Sequence, residues 1–207
     1  EIQKIVSQEQ ISYYEDFNEI EKKIWSLLSR AVNDRNSEFR TPVFICGNND
    51  ELDGRVVVLR KVDEKNSYLQ FHSDIRSSKI EIIKKNPNNS LLFYGKKEKI
   101  QLRMKIKSEI HFDNEITKLS WERTGHISRK CYLVNKGPGT ESKNPTSGLD
   151  NKFDNFDFTK EESEKGYKNF CVIGCHIKSI EWLYLAAKGH RRALINLSNS
   201  KYTWLVP

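Results

Sequence analysis

Apolar residues recur at every third or fourth position through residues 13–33, with charged residues between them. The members of this set are Phe17, Ile20, Ile24, Leu27, Leu28 and Ala31. Because an α-helix repeats about every 3.6 residues, this spacing predicts an amphipathic helix over residues 13–33. A second helix is predicted from Ser78, which Glu81 follows as in a capping box, to Asn86, which precedes a proline.

Other segments alternate between apolar and polar residues, the pattern of a strand with one buried face. In residues 99–110, Ile100, Leu102, Met104 and Ile106 alternate with Gln101, Arg103, Lys105 and Lys107. Further strands are predicted over residues 41–46, 55–61, 68–71, 90–94, 170–177, 180–185, 193–197 and 202–206, and a short helix over 114–130. Many short strands with few helices indicate a mainly β (α+β) protein, an antiparallel barrel with peripheral helices.

Residues 135–167 differ from the rest of the chain in composition. They contain a Gly-Pro-Gly turn at 137–139 and few apolar residues apart from three phenylalanines. This composition predicts a long exposed loop. With 207 residues, the chain is long enough for one domain with a sizeable core. We therefore expect a single domain over residues 1–207, with a loop insertion at about 135–167.

The chain carries 35 Lys and Arg against 28 Asp and Glu, a formal net charge of +7. Such a surplus can attract nucleic acid, anionic membranes or small anions. The two signs are interspersed along the sequence, which favours scattered solvated lysines over a polyanion-binding face. No apolar run approaches the roughly 20 residues that span a bilayer, and the first residues lack the apolar stretch of a secretory signal. Membrane insertion is not expected, and nucleic-acid binding is disfavoured.

The four cysteines are Cys46, Cys131, Cys171 and Cys175. Three residues separate Cys171 from Cys175, but no second cysteine or histidine pair accompanies them, so no metal site is expected. Three of the four cysteines lie among apolar or strand-like neighbours, where an unpaired cysteine is usually a small core residue. Free thiols indicate a reducing compartment, and we expect a cytoplasmic protein.

Two segments carry the residue types of an anion-binding site. The first is the predicted strand that begins at Arg55 and reaches Arg60 through Val-Val-Val-Leu. The second supplies hydroxyls and a cation where a strand meets a helix start, namely Ser73, Ser77, Ser78 and Lys79. Guanidinium groups and helix N-termini both bind phosphate. The alternatives stay open, because arginines at strand ends can pair with surface carboxylates and serines before a helix are common capping residues.

A third group lies near the C-terminus and consists of Trp182, Lys188, His190 and Arg192. An aromatic face, an imidazole and a guanidinium in one short segment suit a flat ring that bears carbonyl groups. A tryptophan on a strand is more often a core residue, and Gly-His-Arg-Arg at 189–192 is equally compatible with a basic hairpin. Both interpretations therefore remain open for this group.

Taken in order, these segments resemble the pyridoxamine 5′-phosphate oxidase family, whose members are FMN-binding split barrels with Greek-key topology. The resemblance is carried by segments 55–60 and 71–79, Gln101-Leu102-Arg103, Trp182 with His190 and Arg192, and the segment Trp204-Leu205-Val206-Pro207. It covers roughly residues 15–133 and 168–207. The pattern is closer to the broader oxidase-related branch than to the vitamin B6 enzyme itself.

The resemblance implies FMN as the cofactor and a homodimer with FMN at the interface. The positions that match FMN-binding residues of the family are Arg55, Val56, Val57, Val58, Leu59, Arg60, His72, Ser73, Arg76, Ser78, Lys79, Gln101, Trp182 and Arg192. Ser78 and Lys79 stand where the family holds the phosphate with an Arg-Lys pair, and Arg76 would restore the missing charge. Trp182 and Arg192 would reach FMN across the dimer interface, where Arg192 would act as a catalytic cation that stabilises the reduced cofactor.

Substrate contacts are implied at Lys188, His190 and Ser128, with His190 as the candidate catalytic acid–base. The vitamin B6 enzyme grips its substrate phosphate with Tyr, Arg and Ser, where this chain has Ser120, Thr124 and Ser128. Because two of those phosphate contacts are missing, FMN binding is better supported than pyridoxamine phosphate oxidation. The favoured function is an FMN-dependent oxidoreductase of unknown substrate. A non-catalytic flavin-binding protein and a basic β-barrel that binds nucleic acid are the alternatives.

Overall fold

The N-terminal helix follows from the apolar periodicity. The computed structural model describes residues 15–207, in which helix α1 spans Phe17–Asn33. Positions 13 and 14 of the predicted helix lie outside the described residues. The Asp16 carboxylate caps α1 by accepting hydrogen bonds from the backbone N–H groups of Asn18 and Glu19. All of the predicted apolar positions except Phe17 are buried, and they pack against the barrel core.

Within residues 15–207, nine antiparallel strands form one sheet. Their bounds are β1 Val43–Gly47, β2 Leu52–Val56, β3 Leu59–Asp63, β4 Tyr68–Asp74, β5 Asn88–Gly95, β6 Ile100–His111, β7 Phe170–Tyr184, β8 Arg191–Asn196 and β9 Lys201–Leu205. The strand order is β2-β1-β5-β6-β7-β4-β3, while β8 pairs with the C-terminal half of β7 and β9 pairs with β8. The mainly β, α+β fold class is confirmed.

The strand predicted over residues 55–61 is in fact two strands. β2 and β3 lie at opposite ends of the strand order, although only Val57 and Val58 separate them in sequence. Because two residues span no more than about 10 Å, the sheet must curl until its two edges meet. The Val57 N–H donates to the Pro42 carbonyl at 2.9 Å at this crossing. Arg55 and Arg60 therefore belong to different strands at opposite edges of the sheet.

The strands predicted over residues 170–177 and 180–185 are one long strand, β7. Its register against β6 shifts after Lys105, which leaves Lys178 without an opposite residue. Such a bulge inserts one residue into the alternation of faces. Ile177 and Ile180, three positions apart, consequently both face the interior and are both buried.

The remaining helices lie around the barrel. They are α2 Ser78–Lys85, α3 Glu115–Arg123, α4 His126–Arg129, α5 Asn151–Asp154 and α6 Lys160–Ser163, with short 3-10 helices at Glu38–Arg40, Lys130–Tyr132 and Glu164–Asn169. The helix predicted over residues 114–130 breaks at Thr124 and Gly125. The loop prediction for residues 135–167 was wrong from residue 151 onward, where helices form and Phe153 and Phe158 are buried. No helix within residues 15–207 is long and apolar enough to cross a membrane.

Candidate functional site

A cluster of cations and hydroxyls forms where β4 meets α2. The Lys79 ammonium donates to the Ser73 hydroxyl oxygen at 2.7 Å and to the Ser77 hydroxyl oxygen at 3.0 Å. Arg55, near the end of β2, donates to the Ser77 hydroxyl at 3.2 Å and to the Ser78 hydroxyl at 3.5 Å. The structure thus brings together five residues that the sequence placed in two separate segments. We refer to these five residues as the cation–hydroxyl cluster.

The cluster replaces the usual side-chain cap of helix α2. Ser77 is the N-cap residue, but its side chain makes no capping hydrogen bond. Its hydroxyl oxygen accepts from Lys79 and Arg55 instead. The predicted capping box of Ser78 and Glu81 was therefore wrong, and Glu81 pairs with Lys84 at 2.8 Å. The partial positive charge at the N-terminus of α2 consequently adds to that of the two cations.

The cation–hydroxyl cluster has more positive charge than its own surroundings neutralise. Lys79 is only 8% exposed. Burial, followed by the charge of Arg55, lowers the pKa of Lys79 to about 8. Asp53 pairs with Arg55, but the Arg55 Nε is buried without a hydrogen-bond partner in the described part of the chain. Two cations and an unpartnered donor fit a phosphate group, whose oxygens accept several charge-assisted hydrogen bonds.

Arg76 is engaged away from the cluster hydroxyls. Its guanidinium donates to the two carboxylate oxygens of Asp74 at 3.0 and 2.7 Å, and to the Val134 carbonyl at 3.1 Å. These bonds tie the segment after α4 to the end of β4. The predicted role of Arg76, restoring charge beside the phosphate, is not supported because its donors are already taken up within the fold.

Trp182 lies in the barrel interior, so the structure contradicts its predicted contact with FMN across an interface. The ring is 0% exposed, on a strand position paired with Leu102 and Ala193. A ring enclosed by its own barrel cannot reach another subunit. The core interpretation, left open by the sequence, is the correct one for this residue.

Gln101 and Arg192 lie in one row on the outer face of the barrel. The strand register pairs Tyr94 with Gln101, Gln101 with Leu183, and Leu183 with Arg192. Directly opposed residues of neighbouring antiparallel strands point to the same side of a sheet. Arg192 also donates to the Glu181 carboxylate at 2.7 Å, which holds its guanidinium against that face.

The four apolar residues between Arg55 and Arg60 differ in burial. Val57 and Leu59 are buried, Val58 is half-buried and Val56 is 65% exposed. Val56 is opposed to Val43, which is opposed to Leu92, in the row that continues to the outer face of β6. Val56 therefore shares the outer face with Gln101 and Arg192.

His190 and Arg192, the two predicted catalytic residues, come together at the C-terminal end of the sheet. Lys188 and His190 are exposed in the turn between β7 and β8. His190, Arg192 and Trp204 line a shallow cavity of about 430 Å³ with residues 205–207. Within one protomer this cavity is separate from the cation–hydroxyl cluster, so the two halves of the predicted site meet only if a second chain contributes one of them.

A larger cavity of about 720 Å³ lies between α3 and strands β3, β4, β6 and β7, and we refer to it as the α3 cavity. Arg60, His72 and Ser128 line it, so these predicted residues are grouped away from Ser73. Neighbouring residues of a strand face opposite sides, and His72 therefore faces the cavity while Ser73 faces the cluster. Burial, followed by the charge of Arg60, lowers the pKa of His72 to about 3, so its imidazole is neutral at physiological pH.

Sequence reasoning missed three residues of these sites. Asp53 stands two positions before Arg55, a spacing that places both on one face of a strand, so this ion pair was open to prediction. Tyr68 and His111 also lie at the α3 cavity. They are 43 positions apart, on strands that both pair with β7. No sequence signal reports that proximity.

The fold is that of a split barrel, and part of the chain is similar to a known FMN-binding domain. Residues 24–111 match a family model described as the FMN-binding domain of pyridoxamine 5′-phosphate oxidase. This stretch includes Arg55, Ser73 and Lys79, and with it the whole cluster. The resemblance to this family and the expectation of FMN as the family's cofactor are confirmed.

Two solved structures illustrate the likeness in fold. A pyridoxamine 5′-phosphate oxidase-related, FMN-binding protein from Nostoc punctiforme superposes with a TM-score of 0.71 at 16% identity, covering 90% of this chain and 96% of that one. PhzG from Burkholderia lata, solved with tetrahydrophenazine-1-carboxylic acid, gives a TM-score of 0.69 at 16% identity, covering 94% and 96%. A search of curated protein sequences finds no match. At this identity the two structures establish the fold.

Proposed function

We propose that this protein binds FMN through the cation–hydroxyl cluster and acts as a flavin-dependent oxidoreductase. The observation that carries the proposal is the buried Lys79 ammonium beside Arg55, with the Arg55 Nε unpartnered within residues 15–207. Burying the Lys79 ammonium against serine hydroxyls, with no ion-pair partner within residues 15–207, is costly, and a phosphate monoester relieves that cost. FMN, when bound, supplies reversible two-electron redox chemistry.

The chain's residues take distinct parts in this proposal. Lys79 and Arg55 hold the phosphate by charge, while the hydroxyls of Ser77 and Ser78 fix its orientation. Arg192 provides a cation on the outer face for the reduced cofactor. His190, exposed beside it, holds or transfers a proton through its imidazole. Lys188 lies in the same turn and attracts an anionic substrate.

The outer face of the barrel is the proposed dimer interface. Leu52, Val56 and Tyr94 are large apolar side chains of that face that remain exposed. Grouped exposed apolar side chains are typical of interaction surfaces. A second copy of this chain on that face would complete the site with its own outer-face residues. Buried free thiols at Cys46, Cys171 and Cys175 fit a reducing cytoplasm.

Val56→Glu is expected to dissociate this dimer. In a two-fold symmetric interface the substitution introduces a carboxylate from each chain, so dimer affinity should fall more than tenfold, an effect of about 1.4 kcal/mol or more. The molar mass of the variant by light scattering should approach that of one chain. Ile127→Glu is the matched control, because Ile127 is an exposed apolar residue on α4 away from the sheet. A wild-type protein that is monomeric at micromolar concentration would contradict the proposed interface.

A second candidate function, flavin binding without turnover, is favoured by one observation. The helix positions that would grip a substrate phosphate offer only hydroxyls, and the Thr124 hydroxyl already donates to the Ser120 carbonyl at 2.8 Å. Ser128 remains exposed at the α3 cavity. Pyridoxamine phosphate would therefore lose most of its phosphate contacts in this chain.

Absorption spectroscopy of the purified protein distinguishes a flavin-dependent oxidoreductase from a flavin-binding protein without turnover. We expect a yellow protein with about one FMN per chain, whose absorption near 450 nm bleaches on anaerobic addition of a reduced nicotinamide donor. A yellow protein that no nicotinamide donor and no pyridoxamine phosphate reduces would support the binding protein instead. A colourless protein that takes up no added FMN would exclude both candidates.

A further inference from the structure

Lys79 is a buried amine whose position is fixed by the cation–hydroxyl cluster. Only 8% of the residue is exposed. Its nitrogen donates to the Ser73 hydroxyl oxygen at 2.7 Å and to the Ser77 hydroxyl oxygen at 3.0 Å. The Ser73 hydroxyl in turn donates to the Asp74 carbonyl at 3.4 Å, so its oxygen remains an acceptor toward Lys79. The amine therefore has two acceptor partners, and both are uncharged.

No carboxylate balances the charge of Lys79 within residues 15–207. The titratable groups that influence it lie on four strands and are Arg55, Asp74, Cys46 and Cys171. Asp74 is committed to Arg76, whose guanidinium donates to its two carboxylate oxygens at 3.0 and 2.7 Å. Burial raises the pKa of both thiols, so Cys46 and Cys171 are uncharged at neutral pH. Arg55 is the charged neighbour with the strongest influence, and it repels the ammonium.

A lysine in these surroundings is uncharged far more often than a solvated one. Burial, followed by the charge of Arg55, lowers the pKa of Lys79 to about 8. At pH 7 about one amine in ten then carries a lone pair, against fewer than about one in a thousand for a solvated lysine. The two N–H bonds of the neutral amine still satisfy Ser73 and Ser77, which leaves the lone pair free. Lys79 is consequently a nucleophile at neutral pH.

The same cluster offers donors for a phosphate beside that amine. Arg55 donates to the Ser77 hydroxyl at 3.2 Å, so Arg55 and Lys79 share one acceptor and are neighbours. The Arg55 Nε is buried without a partner in the described part of the chain. The N-terminus of helix α2 adds its partial positive charge, because the Ser77 side chain does not cap it. A small phosphorylated molecule bound by Arg55 therefore lies within reach of the Lys79 amine.

We propose that Lys79 is an acylation site for small acyl phosphates, which Arg55 and the N-terminus of α2 bind by the phosphate group. In an acyl phosphate a single oxygen separates the carbonyl carbon from phosphorus, so a phosphate on Arg55 places that carbon beside the neighbouring amine. The Lys79 nitrogen attacks the carbonyl carbon and a C–N bond forms. The C–O bond to the phosphate breaks, inorganic phosphate leaves with the electron pair, and the amine proton passes to solvent.

Acylation of Lys79 switches off the phosphate site of the proposed function. The resulting amide carries no charge and cannot make a charge-assisted contact with a phosphate. A bound FMN phosphate, conversely, occupies the anion site and shields the amine. The inference rests on the anion site of the proposed function and not on flavin chemistry. Acylation therefore controls the fraction of chains that can load FMN.

Acetylation by acetyl phosphate at pH 7.5 tests the proposal on the protein as purified, with its FMN content recorded before and after dialysis. Cleavage after acidic residues yields residues 75–81, in which Lys79 is the single lysine, and mass spectrometry gives the acetylated fraction. Lys84 is the internal reference, because it lies on the same helix but is exposed and paired with Glu81. Per FMN-free chain, Lys79 should be acetylated at least tenfold faster than Lys84, despite its burial.

A second reagent isolates the contribution of the phosphate group. N-succinimidyl acetate delivers the same acetyl group without phosphate, and with it the ratio of the Lys79 rate to the Lys84 rate should fall at least fivefold. Arg55→Gln removes the anchor, so the acetyl phosphate rate at Lys79 divided by the succinimidyl acetate rate should also fall at least fivefold. This quotient cancels any change in protonation of the amine. Arg30→Gln is the matched control, an exposed arginine of α1 paired with Glu98 at 3.4 Å, and should leave the quotient unchanged.

Two measurements on the wild-type protein need no substitution. Inorganic phosphate at 20 mM should slow acetylation of Lys79 by acetyl phosphate at least threefold and leave Lys84 unaffected. The rate constant at Lys79 should rise with pH below about 8 and level off above it, because the neutral amine of the free protein reacts. The rate at Lys84 should still be rising at pH 9.

The proposal is overturned if Lys79 reacts no faster than Lys84 with acetyl phosphate, if both reagents give the same ratio, or if Arg55→Gln keeps the wild-type quotient. Saturating FMN should protect Lys79 at least tenfold, and the acetylated protein should bind FMN at least tenfold more weakly. If inorganic phosphate slows the acetylation while FMN neither binds nor protects, the flavin proposal fails and the acylation site stands.

Discussion

Lys79→Gln is expected to weaken FMN binding at least tenfold. Within residues 15–207 the buried ammonium donates to two serine hydroxyls, so a phosphate at this point gains a charge-assisted contact of about 1.5–3 kcal/mol. Glutamine keeps a similar length and removes the charge. Dissociation constants from quenching of FMN fluorescence, at one fixed ionic strength, measure the effect.

The same residue makes FMN affinity depend on pH. Burial and Arg55 lower the pKa of Lys79 to about 8 in the free protein, whereas a neighbouring phosphate dianion favours the ammonium and raises that pKa. Binding therefore takes up a proton between the two pKa values. The affinity is highest below pH about 8 and falls as the pH rises above it, by up to about tenfold per pH unit.

Lys84→Gln provides the matched control for both measurements. Lys84 lies on the same helix but is exposed and paired with Glu81, so its loss should leave the affinity and the pH dependence unchanged. Lys79→Gln should abolish the dependence between pH 7 and pH 9 along with the affinity. If it binds FMN as tightly as the wild-type protein, the phosphate does not lie at the cation–hydroxyl cluster.

Arg129→Met is expected to cost about 3 kcal/mol or more of the free energy of unfolding. The Arg129 side chain is 1% exposed and donates to the Trp121 carbonyl at 2.7 Å and the Thr124 carbonyl at 3.0 Å. It also pairs with Glu164 and stacks on the Trp121 ring, 4.5 Å from its centroid. Each buried acceptor left without a partner costs about 1–3 kcal/mol. Urea denaturation measures the loss.

Lys118→Met, on the exposed side of α3, serves as the comparison for Arg129→Met. Its ammonium reaches Glu115 only at 4.0 Å, so the substitution should change stability by no more than about 0.5 kcal/mol. We also expect limited proteolysis of Arg129→Met to begin within residues 130–169, because Glu164 of that segment loses its ion pair with Arg129 of α4. Equal stability of the two variants would show that Arg129 does not hold that segment.

The sequence correctly predicts those helices and strands whose pattern of apolar residues is local. Helix α1 and strand β6 follow from apolar spacing alone, because each turns one continuous face to the core. The predicted cluster of Ser73, Ser78 and Lys79 with Arg55 was also readable, since hydroxyls and cations gather at a strand end and a helix start. The pattern does not predict that this segment divides into β2 and β3 at Val57, where the chain passes from one edge of the sheet to the other.

Long-range pairing decided the remaining features. The alternation of β7 breaks at a bulge beside Lys178, which made one strand look like two. Trp182 falls on the interior face because of that register, and so it belongs to the core. The helices after residue 150 form because Phe153 and Phe158 find apolar partners, which composition does not report.

The sequence by itself determined the group of cations and hydroxyls where β4 meets α2 and the resemblance to FMN-binding split barrels, because those residues lie within short segments of the chain. Only the tertiary structure separated Arg60 from Arg55. Barrel closure places the two arginines at opposite sheet edges, one beside Lys79 and the other at the α3 cavity. Burial, which sequence does not specify, then set the charge states of Lys79 and His72.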